Sequence, residues 1–165
     1  MVATLDCLPE VGTEVTSDNT TQLHLPTLLI VADPNGLNVA REVIVELELG
    51  WEVIFARASQ EAHEIAAARV IDVALLDLGN PHLEAIDLVE HLHNSFPHLP
   101  MVLMTAPYGV SNALEAMQRG AASHFPRDLL DTEPKAVLES LSHIAREHQR
   151  RRAGRRAAAH AEPAR

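Results

Sequence analysis

A chain of 165 residues with 47% apolar and 22% charged content has room for one core and short terminal segments, and aromatics at 3% leave that core to Leu, Ile, Val and Ala. The formal charge of −10 is unevenly spread: from residue 146 onward seven Arg face two Glu, whereas residues 1–145 carry six Lys plus Arg against 21 acids. An acidic body repels phosphate backbones, which excludes nucleic-acid contact except through the basic tail, and no run approaches the roughly 18 apolar residues of a membrane span.

Residues 1–25 are rich in Thr, Glu, Asp and Asn without a sustained apolar period, and are expected to form a disordered or loosely packed leader. They hold no basic segment followed by an apolar one, so a cytoplasmic location is expected. Cys7 is the one cysteine, which rules out a disulfide within the chain and leaves a free thiol.

From Pro26 the pattern changes. "TLLIVAD" (27–33) is an apolar run closed by an acid, and "PNGLNVAREVIVELELG" sets Leu37, Ala40, Val43, Ile44 and Leu47 at helical spacing before Gly50, a fitting C-terminal stop. The unit then recurs. "WEVIFA" (51–56) leads into "SQEAHEIAAAR", with Ser59 as expected cap; "DVALLD" (72–77) leads into "LEAIDLVEHLHNSF"; "MVLMT" (101–105) into "SNALEAMQRG". The short "SHF" (123–125) precedes a helix from about Pro134, capped by Asp131 or Thr132, with Val137, Leu138, Leu141, Ile144 and Ala145 as its apolar stripe. Residues 148–165 drop the stripe and form an Arg/Ala-rich helical extension or linker, bounding a domain at 26–147.

Five strands alternating with five helices imply an α/β fold with a doubly wound parallel sheet covered on both faces, because right-handed crossovers place helices on each side. Ligands of such sheets bind beyond the carboxyl ends of the strands. Asp33, Asp77 and Thr105 end the first, third and fourth strands, and the fifth leads within two residues to Arg127. Two acids, a hydroxyl and a cation are thus expected at one edge. Asp33, Asp77 and a loop carbonyl near Gly79 suit a hard cation such as Mg²⁺, with water completing the octahedron. An Asp beside that metal can attack a phosphoryl group to give an acyl phosphate, Thr105 can donate to the added oxygens, and Arg127 can pair with them.

At these residues the chain resembles the receiver domains of bacterial two-component response regulators, over roughly residues 27–147. The order acid, Asp, Thr and base at the strand ends is similar to that family's, as are "DLGNP" around Asp77, "TA" at 105–106 and "GAASHFPR" at 120–127. So are the separations of 44 positions from Asp33 to Asp77 and 22 from Thr105 to Arg127. The resemblance implies a five-stranded flavodoxin-like sheet of order 2-1-3-4-5. It further implies phosphorylation of Asp77 by a sensor histidine kinase or phosphotransfer protein, and a switch in which Thr105 moves toward the phosphoryl group. The face of the fourth helix, fifth strand and fifth helix would then bind a downstream protein or a second copy.

The chain also departs from the family pattern. Ala32 stands where a second acid is usual, which weakens the expected metal site. Arg127 replaces a Lys, His124 a switch aromatic, and Asp128 a Pro, so a rebuilt loop is expected there. A rival class within the same fold is a pseudo-receiver, in which Arg127 holds Asp77 in a standing ion pair and the module binds partners without phosphate chemistry. A dinucleotide-binding enzyme is excluded because "DPNGLN" offers one glycine where GxGxxG is needed, and a dehalogenase-type phosphatase would want an acid where Gly79 stands. Among His82, His91, His93 and His98, a zinc site is disfavoured because His91 and His93 fall on different faces of one helix.

Overall fold

The computed structural model describes residues 25–32, 50–77, 85–106 and 110–161. Cys7 and the leader up to residue 24, Asp33, the helix expected over 34–49, Gly79 and His82 lie outside these residues.

The described strands are β1 (Thr27–Val31), β2 (Glu52–Ala56), β3 (Val73–Asp77), β4 (Met101–Thr105) and β5 (Ser123–Pro126). They pair in the order β2-β1-β3-β4-β5, every neighbour parallel, as the resemblance implies. β1, β3 and β4 are buried at every position, which explains why "TLLIV", "VALL" and "MVLM" are apolar without alternation: both faces of a central parallel strand are covered.

Period-two geometry sorts those side chains into two cores. Leu29, Val31, Ala74, Leu76, Met101 and Leu103 face one side, where they meet α1 (Ser59–Ala68), α2 (Ala85–Ser95) and α3 (Val110–Gln118) through Ala62, Leu88, Leu92 and Ala116. Leu28, Ile30, Val73, Leu75, Val102 and Met104 face the other, packed by Phe125, Leu130 and the stripe Val137, Leu138, Leu141 and Ala145. Leu130 belongs to the short α4 (Asp128–Thr132), and the stripe to α5 (Pro134–Ala161).

Two capping expectations are corrected. Ser59 is the first helical residue rather than the cap; Ala58 holds the cap position without a side-chain bond, and Glu61 instead accepts from the Arg57 N–H at 2.7 Å. Asp131 and Thr132 are spent in α4, where the Thr132 hydroxyl donates to the Asp128 carbonyl at 2.9 Å, and the N–H groups of Ala136 and Val137 turn to the Glu133 carbonyl. Gly50, just before β2, has φ +59, a left-handed conformation that favours glycine; the helix it was expected to end lies outside the described residues.

The 28 residues of α5 run for about 42 Å, far beyond the span of a five-residue strand. Residues 153–159 are all exposed, so the Arg/Ala-rich segment continues the helix past the foot of the sheet. Among the described residues no helix is long and apolar enough to cross a membrane.

Candidate functional site at the carboxyl edge of the sheet

β3 and β4 run side by side, with Asp77 opposite Met104, so Asp77 and Thr105 end neighbouring strands at the same edge. β4 in turn pairs with β5, where Thr105 is opposite Pro126. The next residue, Arg127, donates its backbone N–H to the Thr105 carbonyl at 2.8 Å, which extends the ladder one step past β5 and pins the arginine above the strand ends. Its guanidinium then turns inward and forms an ion pair with the Asp77 carboxylate. Residues 50 positions apart in sequence therefore meet because three strand ends align.

The burial of the pair is lopsided. Asp77 is 1% exposed, while the Arg127 side chain is 39% exposed. An ionised carboxylate so deeply placed needs compensating charge, and the guanidinium supplies it from a position that is still open to solvent. Thr105 is buried as well, and its hydroxyl donates to the Phe125 carbonyl across a long 3.4 Å. Such a bond is weak enough to exchange for a stronger acceptor.

The structure thus brings together Asp77, Thr105 and Arg127, and leaves Asp33 and Gly79 outside the described residues. Ala32 is fully buried in the second apolar core, so a methyl group fills that position at the end of β1. The exposed His124 side chain lies on the outer strand β5, as expected of an edge histidine. At Arg127 the backbone enters α4 directly with helical angles, φ −59 and ψ −38, so Asp128 is its first helical residue.

Among the described residues no group of three His, Cys, Asp or Glu side chains is placed to hold a metal. His91 lies against His63, ring centroids 4.8 Å apart, while His93 sits over Gly120. The two histidines do diverge, as their spacing requires. For a hard cation at the carboxyl edge, the Asp77 oxygens are the right donor type, but their pairing with Arg127 competes for the same lone pairs.

A second buried acid escaped the sequence reading. Asp72, just before β3, is fully buried and accepts the Thr27 N–H at 2.9 Å. Arg152 and His148 approach its other oxygen at 3.7 and 4.0 Å. The available signal was the symmetry of "DVALLD", an acid at both ends of one apolar run; the partners, some 80 residues later, gave none.

Residues 28–136 match the family model of the response regulator receiver domain. The response regulator protein FleR of Pseudomonas aeruginosa is 28% identical over 120 residues, which are 72% of this chain and 24% of that protein. The DNA-binding transcriptional regulator NtrC of Escherichia coli is 30% identical over 55% of this chain and 20% of its own length. The chain therefore spans about a quarter of the length of the curated relatives it matches. Among solved structures, a CheY-like receiver domain protein from Methanospirillum hungatei superposes with TM-score 0.66 at 24% identity, over 77% of this chain and 98% of that one. The non-phosphorylated HemR receiver domain of Leptospira biflexa gives 0.60 at 27% identity, over 73% and 94%.

Proposed function

Because this chain belongs to the response regulator receiver domain family, whose members are signalling modules that typically respond to phosphorylation, we propose that Asp77 is its phosphoacceptor. The observation that carries this is the pairing of a 1% exposed carboxylate with a half-open arginine at the carboxyl edge of a parallel sheet. A carboxylate oxygen of Asp77 attacks the phosphorus of a phosphohistidine, the P–N bond breaks, and the departing imidazole takes up a proton. Arg127 must swing off the carboxylate to admit the donor, and then pairs with the new phosphoryl oxygens instead. Thr105 trades its long bond to Phe125 for a bond to the same group.

Mg²⁺ would be held by Asp77 together with Asp33 and the Gly79 carbonyl, where it supplies charge neutralisation between phosphoryl oxygens and carboxylates. With Ala32 in place of a second acid, its affinity should be low. The phosphodonor is a sensor histidine kinase or phosphotransfer protein, which places the module in the cytoplasm. Output runs through Val110–Gln118, β5 and the long helix: Leu114 and Met117 are 61% and 37% exposed on the first of these, apolar surface available to a downstream protein or a second copy.

The test is incubation with Mg²⁺ and acetyl phosphate followed by intact-protein mass spectrometry, repeated with a cognate kinase. An added phosphoryl group that disappears in Asp77→Ala supports the proposal. Absence of the adduct with every donor would establish the module as a phosphorylation-independent pseudo-receiver.

A further inference from the structure

The opposite edge of the sheet, where the strands begin, carries two cavities that phosphorylation at Asp77 does not use. The first, of about 360 Å³, is walled by Ala66, Val70, Ile71, Phe96 and Leu99. Val70 is 43% exposed at its rim, an unusual position for a bare valine. The second, of about 510 Å³, opens between the residue 97–100 loop and the long helix and is lined by Arg151, Arg152, Arg155 and His93, with Glu147 as its one carboxylate. Both cavities share Pro97, His98, Leu99, His148 and Arg152. An apolar recess therefore runs into a cationic cleft across a common sill.

The sill is held in place from below. Buried Asp72 accepts the Thr27 N–H with one oxygen and draws Arg152 and His148 towards the other, at 3.7 and 4.0 Å, which keeps both side chains at the rim of the recess. Arg151 is only loosely committed to Glu147, at 3.6 Å, and Arg155 pairs with no carboxylate among the described residues. Burial lowers the pKa of His148 from its ordinary value, against the opposing pull of Asp72, so the positive charge of the cleft resides in its arginines. Guanidinium forks match phosphate oxygens two at a time, and cavities of this size suit small organic ligands.

We propose that the two cavities form one bipartite site for a nucleoside phosphate, the base lying in the recess between Val70 and Phe96 and the phosphates against Arg151 and Arg155. A bound ligand would bridge the residue 97–100 loop and the helix, clamping the projecting helix to the foot of the sheet. The site is independent of Asp77, which terminates the same strand at its far end.

Isothermal titration of the full chain, in EDTA so that no metal links the ligand to the carboxyl edge, tests the proposal with ATP, GTP, adenosine, inorganic tripolyphosphate and a glutamate-rich peptide as probes. One saturable site per chain is expected for a nucleoside triphosphate, tighter than for adenosine or tripolyphosphate alone. Arg151→Ala with Arg155→Ala should weaken it at least tenfold, and Val70→Glu should remove the advantage of the nucleotide over tripolyphosphate; both variants must keep the wild-type melting temperature. Equal affinity for tripolyphosphate and nucleotides would mean a charged surface only and would overturn the bipartite site. So would tighter binding of the peptide, no saturable binding of either nucleotide, or binding indifferent to the arginine pair.

Discussion

Replacing Arg127 by Ala strips the guanidinium from a carboxylate that is 1% exposed. Removing one partner from a fully buried pair costs about 3–5 kcal/mol, because the charge left behind has no water to return to. An exposed pair is worth about 0–1 kcal/mol. The present pair lies between those limits: Asp77 is buried, but Arg127 is 39% exposed and water can follow the truncated side chain inward. A loss of about 1–3 kcal/mol is therefore expected, and in a chain of this size 2 kcal/mol lowers the melting temperature by about 4–8 °C. Chemical denaturation of the wild type, Arg127→Ala, Asp77→Asn and the double variant isolates the pair as a coupling energy, expected at about 1–3 kcal/mol. The two single variants should not add, since Asp77→Asn already removes the charge that makes the arginine necessary. If Arg127→Ala melts at or above the wild-type temperature and the substitutions are additive, the ion pair contributes nothing, and the account of Arg127 as the counter-ion of Asp77 is wrong.

The other predictions follow from separate parts of the fold. Gly120→Ala should destabilise by about 2 kcal/mol or more, because φ is +115 there and a Cβ would stand 2.4 Å from the His93 ring; thermal unfolding of the variant reads this directly. Burial depresses the His148 pKa, with Asp72 opposing and Arg152 and His98 reinforcing, so the unfolded chain takes up this proton before the folded one does. Stability from the neutral imidazole is thus complete above about pH 6.5 and declines as pH falls below it. Relative to His148→Gln, the wild type should lose stability between about pH 7 and pH 5, and a difference that stays constant with pH would contradict the burial argument. Leu114→Ser with Met117→Ser should leave the melting temperature within about 1 kcal/mol of the wild type while abolishing any phosphorylation-dependent self-association seen by sedimentation, since both side chains are already exposed.

Much of this architecture is legible in the sequence because burial on both faces leaves a simple mark. Runs such as "VALL" and "MVLM" can only be central parallel strands once helices alternate with them, and the order of strand ends then assigns Asp77, Thr105 and Arg127 to one edge. Helix caps were less legible. Ser59 and Thr132 are good capping residues by type, but Glu61 reaches the free N–H first and Thr132 lies inside an extra helical turn after Arg127. The foot of the sheet was not legible at all. Arg152 and His148 sit in a segment whose composition reads as solvated, and only the trajectory of a 28-residue helix carries them back to Asp72.

β3 thus ends in a buried acid at each extremity, and composition alone gives no reason to assign the chemistry to one rather than the other. The difference lies in what answers each charge. Asp72 accepts a backbone N–H from β1 and faces two side chains on a helix whose stripe is packed against the sheet from Val137 to Ala145. The Thr27 N–H cannot be withdrawn without opening the β1–β3 pairing, a cost far above that of one side-chain ion pair. The Asp77 carboxylate pairs with the side chain of the residue that joins β5 to α4, and that guanidinium already touches solvent. It can leave by side-chain rotation with the backbone bond from Arg127 to Thr105 intact. A carboxylate that must be hidden in one state and attacked in another needs a counter-ion that can be detached locally, and at the two ends of β3 that condition is met at Asp77 and not at Asp72.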